Sequence, residues 1–163
     1  MKTLQDLFEN QLKDLYSAEN QLLSALPKML EHANDKSLQQ AFENHLKETK
    51  VQKSRIERIC EELDSSPKGE TCQAMEGLVK EATHFISAAQ DDEVMDAGLI
   101  AAAQRIAHYE ISGYGTAVRF AKELAHHEMA TMLQTTLDEK YDADNVLDKL
   151  AENRLNKKAI SQG

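Results

Sequence analysis

Four glutamates, Glu19, Glu48, Glu110 and Glu139, each fall near the middle of a long helical pattern, on or beside the stripe that should face inward. A first helical pair turns near Asn34, which puts Glu19 about 15 positions before the turn and Glu48 about 14 after it. A second pair turns near His126, with Glu110 about 16 positions before and Glu139 about 13 after. Helices joined by a short turn lie antiparallel and rise about 1.5 Å per residue, so equal distances from a turn mean equal heights. Both pairs therefore set carboxylates at one level, roughly 20 Å from their turns.

Such a level suits two hard cations. Iron and manganese take oxygen and imidazole ligands, and bridging carboxylates hold two ions close together, whereas unpaired buried carboxylates repel one another and take up protons. The opposing reading is that helices are rich in glutamate and that one position of shift turns a residue by about 100°, from seam to solvated flank. Any one of the four reads equally as an edge residue. Four at one height argue for a metal-binding level, present or vestigial. Glu48 and Glu139 are followed three positions on by Val51 and Asp142, so neither completes a Glu-x-x-His pair. His45, one turn before Glu48, and Asp142 are the candidates to supply the missing ligands. Literal Glu-x-x-His spacings occur at Glu81/His84, which matters only if its helix completes the bundle, and at Glu123/His126, at a helix end far from the level. Tyr114, one turn beyond Glu110, reads as a carboxylate partner or a core tyrosine, and Tyr16 beside Glu19 likewise. His108 points away from Glu110 and reads as a packing or interface histidine.

The elements that carry these residues follow from spacing and caps. The first helix starts after Thr3, with Asp6 answering it as a capping box, and carries Leu4, Phe8, Leu12, Leu15, Glu19, Leu22, Leu26 and Met29 inward through a kink at Pro27. The second runs from about Leu38 to Leu63, with Phe42, His45, Glu48, Thr49, Gln52, Ile56 and Ile59 on its inner face. Asp64 to Gly69 breaks it. A shorter helix spans about Gln73 to Gln90, a third long one about Glu93 to Leu124, and the last, after Ala125-His126-His127, runs to about Asn156 with Glu139, Ala143, Val146 and Leu147 inward. Lys157 to Gly163 should fray. Two long hairpins joined by a crossover with its own helix predict an all-α, ferritin-like four-helix bundle with an additional short crossover helix, one domain over residues 1–163.

Composition narrows the function classes. The chain is 163 residues long, with two prolines, six glycines and no tryptophan, which favours a helical domain with an adequate core. A formal charge of −9 and no basic stripe argue against nucleic acid and anionic membranes. Neither a signal segment nor a long apolar run is visible, so a cytoplasmic protein is expected. Cys60 and Cys72 flank the Asp64 to Gly69 loop and are read as reduced and structural. No Ser/His/Asp set, phosphate loop or zinc cysteine cluster is present.

Leu15-Tyr16-Ser17-Ala18-Glu19, His45-Leu46-Lys47-Glu48-Thr49, Ala74-Met75-Glu76-Gly77-Leu78, and above all Leu99-Ile100-Ala101-Ala102-Ala103-Gln104 leading to His108-Tyr109-Glu110-Ile111 and Gly113-Tyr114-Gly115-Thr116, carry a likeness that covers nearly the whole chain. The chain resembles the YciF/YciE family of bacterial stress-response proteins. The resemblance implies a five-helix, homodimeric cytoplasmic protein with a bundle like that of rubrerythrin and other diiron carboxylate proteins, and brings no settled activity. It places the carboxylates on Glu19, Glu48, Glu110 and Glu139. One departure stands out: Ala107 occupies a position, one turn before Glu110, where relatives often carry Glu, which weakens a dinuclear centre. Two readings follow. In the first, iron or manganese held by Glu19, Glu48, Glu110, Glu139, His45 and Asp142 handles a small oxidant, peroxide or dioxygen. In the second, a non-catalytic dimeric bundle with a vestigial site acts through protein–protein contact. Iron storage, which needs a hollow assembly, has no support in the sequence.

Overall fold

The computed structural model describes residues 1–160, apart from the side chains of residues 153 and 154. Five helices, α1 (Leu4–His32), α2 (Lys36–Glu62), α3 (Gln73–Ala88), α4 (Asp92–Glu123) and α5 (His127–Leu150), are followed by a π-helical stretch, Ala151–Leu155, and α6 (Asn156–Ile160). The capping box at Thr3 is formed: the Asp6 N–H donates to Thr3 Oγ1 at 3.0 Å, and the Asp6 carboxylate accepts the Thr3 N–H at 3.1 Å. Helix α1 continues through Pro27 to His32, as the buried Met29 beyond the proline requires. Fraying from Lys157 onward is not seen as far as Ile160. Leu155 is fully buried in the core and anchors the segment, and the remaining residues, 161–163, lie outside the described ones.

The order of the helices in space can be read from a few contacts. Helices α1 and α2 form one hairpin and α4 and α5 the other, while α1 packs on α4 and α2 on α5. Gln5 meets His126 and Asn34 meets Asp92, so α1 and α4 are antiparallel. Arg55 meets Thr136 while His45 and Asp142 line one pocket, so α2 and α5 are antiparallel as well. Helix α2 thus ends where α1 begins, and α4 starts at the opposite end. The connection between them must run the length of the bundle, which is the single long crossover of the ferritin-like arrangement. It is fastened along α1: Ser65 Oγ donates to Glu9 at 3.0 Å, the Cys72 N–H to Ser17 Oγ at 2.8 Å, and Gln21 Nε2 to the Cys72 carbonyl at 3.0 Å. Helix α3 rides outside on α1 and α4, so the alternative in which Glu81/His84 completes the bundle is not realised; both residues are exposed.

Both cysteines are free thiols, buried in separate halves of the core, and Cys72 Sγ accepts the Met75 N–H at the start of α3. The α1–α2 turn is held by a residue whose role the sequence does not advertise. Asp96, 2 % exposed, accepts the Asn34 N–H at 2.7 Å and the Asp35 N–H at 2.8 Å, and Asp35 in turn caps α2. Removing the carboxylate strands two N–H donors in a partly buried turn, so Asp96→Ala should cost about 1–3 kcal/mol in denaturant unfolding. A loss below about 0.5 kcal/mol would mean that water replaces it freely.

The apolar core is in two parts. One contains Leu22, Phe42, Leu99, Ile106 and Leu147, the other Phe8, Leu15, Ile56, Tyr114 and Leu133. Between Leu15 and Leu22, Phe42 and Ile56, Ile106 and Tyr114, and Leu133 and Leu147, the chain places Glu19, His45, Thr49, Gln52, Glu110, Thr136 and Lys140, all buried. The predicted polar level exists.

Candidate functional site: a buried charge layer

Two of the four glutamates meet at the centre. Glu19 and Glu110 are both fully buried, and between them lies the ammonium of an equally buried Lys140, 3.1 Å from Glu19 Oε1 and 2.9 Å from Glu110 Oε2. Tyr114, also with no exposed surface, donates its hydroxyl to Glu19 Oε1 at 2.6 Å, and its ring lies 5.8 Å from Lys140 Nζ. Tyr114 is therefore both a core tyrosine and a carboxylate partner. Although Lys140 Nζ lies 2.9 Å from Glu110 Oε2, neither Glu110 oxygen has a well-directed hydrogen-bond partner.

The protonation states follow from this packing. Burial, and then the neighbouring Glu19, push the Glu110 carboxyl up to about 8, with Lys140 opposing. Burial favours the neutral amine at Lys140, but the two glutamates outweigh it and hold the ammonium above its ordinary range. Tyr114 is raised well above the usual phenol range, by burial and by the adjacent carboxylates, and stays a donor. At neutral pH the cluster is one carboxylate, one carboxylic acid and one ammonium, with no net charge.

The other two glutamates lie one step off the inner stripe. On α2 the inward position belongs to Thr49, whose hydroxyl donates to the His45 carbonyl at 2.8 Å, and Glu48 is only half-buried. On α5 it belongs to Thr136 and Lys140, and Glu139 turns to the flank, where Arg55 grips it with two bonds of 2.6 and 2.8 Å and Gln52 adds a third at 2.9 Å. Burial pushes the Glu139 carboxyl up, but the Arg55 and Gln52 bonds prevail and hold it below its ordinary value. Asp142 is exposed. His45 is buried, and burial together with Lys140 pulls its ring down to about 3, so it is neutral. Val146, expected inward, is 47 % exposed, because α5 is rotated to bring Lys140 rather than Glu139 to the centre. Tyr16 bonds to Glu57 at 3.2 Å, not to Glu19, and His108 pairs with Asp144 at 3.0 Å on the surface.

Within this layer, Lys140 and Arg55 are charged residues that the sequence reading passed over. Lys140 did leave a signal, since it continues the spacing of Leu133, Leu137 and Leu147, but a lysine reads as a solvated residue. The six residues proposed as ligands do not fit a dinuclear centre. The ammonium fills the space where Glu19 and Glu110 converge, the Arg55 fork occupies Glu139, and the position expected to carry another carboxylate is Ala107, whose methyl is fully buried. Among the described residues, no group of three or more His, Cys, Asp or Glu is placed to hold a metal ion, and no helix is long and apolar enough to cross a membrane.

Comparison with known proteins agrees with this fold throughout. The chain is 45 % identical to protein YciF of Escherichia coli (strain K12) over 160 residues, 98 % of this chain and 96 % of that one. The crystal structure of the E. coli stress protein YciF superposes with a TM-score of 0.92 at 44 % identity, covering 96 % of this chain and 99 % of the other. YcfI from Rhodopseudomonas palustris gives 0.88 at 39 % identity over 91 % and 94 % of the two chains. A protein from Xanthomonas campestris pv. campestris, at 18 % identity, TM-score 0.75 and coverage of 93 % and 92 %, shares the fold alone. With residues 3–160 matching the family described as a domain of unknown function, DUF892, this chain belongs to that family and is a homologue of the stress protein YciF.

Proposed function

We propose that this chain is a stress-associated helical bundle whose ancestral metal level has been closed by an internal cation, and that it acts through its surface rather than by redox catalysis. The observation that carries this reading is Lys140, with no exposed surface, at 3.1 and 2.9 Å from Glu19 and Glu110. A tethered ammonium supplies the positive charge that buried carboxylates need, and it has no open coordination position at which an oxidant could bind. The partner is a second copy of the chain in the cytoplasm. Helix α3, in which only Met75 and Ala82 are buried, offers a surface for it.

The test is metal content by mass spectrometry, after purification without chelator and incubation with iron(II) or manganese(II). The parent should hold well under one equivalent per chain, and Glu19→Ala/Glu110→Ala should not change that. About two equivalents per chain in the parent, lost in the variant, would overturn the reading in favour of a diiron or dimanganese oxidant-handling centre.

A further inference from the structure

Helix α3 is attached to the bundle differently from the long helices. Nine residues of α1 and thirteen of α4 are buried, but only Met75 and Ala82 of the sixteen in α3. Its polar fastenings gather at one end, around Cys72. The Cys72 N–H donates to Ser17 Oγ at 2.8 Å and its carbonyl accepts from Gln21 at 3.0 Å. Its Sγ lies 2.9 Å from the hydroxyl of Tyr109, which donates to Asp14 at 2.5 Å. Beyond this latch, among the described residues, no hydrogen bond or ion pair joins Gln73–Ala88 to another helix. The bonds of Lys80 to Glu76, Thr83 to the Val79 carbonyl and Ser87 to the Thr83 carbonyl all stay within α3. The far half of α3 is therefore seated by apolar contact alone, which is not directional.

That contact is interrupted on both sides. A groove of about 250 Å³ separates Leu78 and Phe85 from Gly98 and Ala101 of α4, and another of about 70 Å³ separates Val79 and Ile86 from Ala25 and Met29 of α1. Ala82 borders both grooves, so α3 rests on the α1–α4 seam along a narrow ridge. One residue pins the far end. The Phe85 ring takes the space that a side chain at position 98 would fill, since a Cβ on Gly98 would lie 1.9 Å from Phe85 Cζ. Gly77 has the opposite surroundings, with nothing within 4 Å of a Cβ built on it. Packing does not require a glycine there, and it disfavours the helix about fivefold relative to alanine. A helix of this length is marginal in water by itself, so once it leaves its seat it melts.

We propose that α3 is a cover that opens on its own: residues 78–88 lift from the α1–α4 seam and unfold while the four long helices stay folded and the Cys72 latch stays shut, baring Ala25, Met29 and Ala102. Units with few buried groups open ahead of the whole fold for this reason. The inference does not depend on whether Glu19 and Glu110 ever hold metal, because neither borders the seam grooves.

The experiment is native-state hydrogen exchange on the intact protein at pH 7, read by NMR or by mass spectrometry of peptides. Amides in 78–88 should be at least about 100-fold less protected than those of Leu22 and Ile106, with little dependence on low denaturant. A second copy seated on α3 slows this opening, so the dilute protein is the sample. Phe85→Ala and Gly98→Ala, which remove the pin from either side, should each lower the protection of 78–88 about tenfold or more and leave α2 and α5 unchanged. Gly77→Ala should raise it about fivefold. Dilute hydrogen peroxide supplies a second readout: the Met29 thioether takes one oxygen to become the sulfoxide, and water leaves. In Gly98→Ala this should run about tenfold faster than in the parent, with Met129 of α5 unaffected. The proposal is overturned if 78–88 are protected to within about tenfold of the α1 and α4 core, if the Phe85 and Gly98 variants expose all helices equally, if Gly77→Ala leaves exchange unchanged, or if Met29 oxidises no faster in Gly98→Ala.

Discussion

Lys140→Met should lower stability by about 3–5 kcal/mol at pH 7, the range found when one partner of a buried ion pair is removed. In a domain of this size that is a fall in Tm of roughly 6–20 °C. Methionine fills most of the lysine's volume, so the loss measures charge rather than packing. Glu19 and Glu110 would face each other with the Tyr114 hydroxyl to help, since among the described residues Lys140 is the one group within ion-pair distance of both. The variant should recover as pH falls from 8 towards 5, because a protonated carboxyl needs no counter-ion. Adding Glu110→Gln to Lys140→Met should restore part of the loss at pH 7, and the double-mutant coupling should exceed about 1 kcal/mol. Denaturant unfolding at three pH values decides the matter. A Lys140→Met variant as stable as the parent at pH 8 would show that the ammonium is not the counter-ion of this layer.

Glu110 gives the second large effect, and it is a dependence on pH. Its folded carboxyl titrates at about 8 against an ordinary value of 4.5, so between those limits the native state holds a proton that the unfolded chain has released. Stability from this group therefore falls as pH rises through that window. His45 works in the opposite sense: its ring is held at about 3 against an ordinary 6.5, so the unfolded chain takes up a proton that the native state refuses, and stability rises with pH over that span. The two oppose each other from 4.5 to 6.5. From pH 6.5 to 8 only the Glu110 loss remains, and it amounts to about 2 kcal/mol at one proton's linkage. Glu110→Gln copies the neutral acid in shape and should abolish most of that decline. It should stay within about 1 kcal/mol of the parent at pH 6 and exceed it at pH 8. A parent whose stability is flat from pH 6.5 to 8, or a variant with the parent's slope, would refute the assignment of the proton to Glu110.

Both effects begin in residues that differ sharply in how readable they are. The helices, the capping box at Thr3, the passage through Pro27, the long crossover and the height of the polar level were legible in the sequence, because each rests on local spacing or on distance along a helix axis. Glu19 and Glu110 were legible as inward residues for the same reason. What spacing resolves poorly is rotation about that axis, where one residue amounts to about 100°. Thr49 rather than Glu48, and Lys140 rather than Glu139, therefore hold the centre. Lys140 was hidden further because a lysine in the interior is improbable until its two carboxylates are known to converge on it, and those come from α1 and α4, far apart in the chain. Asp96, Arg55 and the unpartnered nitrogen of His45 likewise acquire their meaning from groups on other helices. The sequence by itself thus determined the helical architecture and the existence of a buried acidic layer. Only the packing of four helices decided that the cation facing that layer is the protein's own ammonium, because charge pairing in an interior depends on distances of about 3 Å between segments that no local pattern connects.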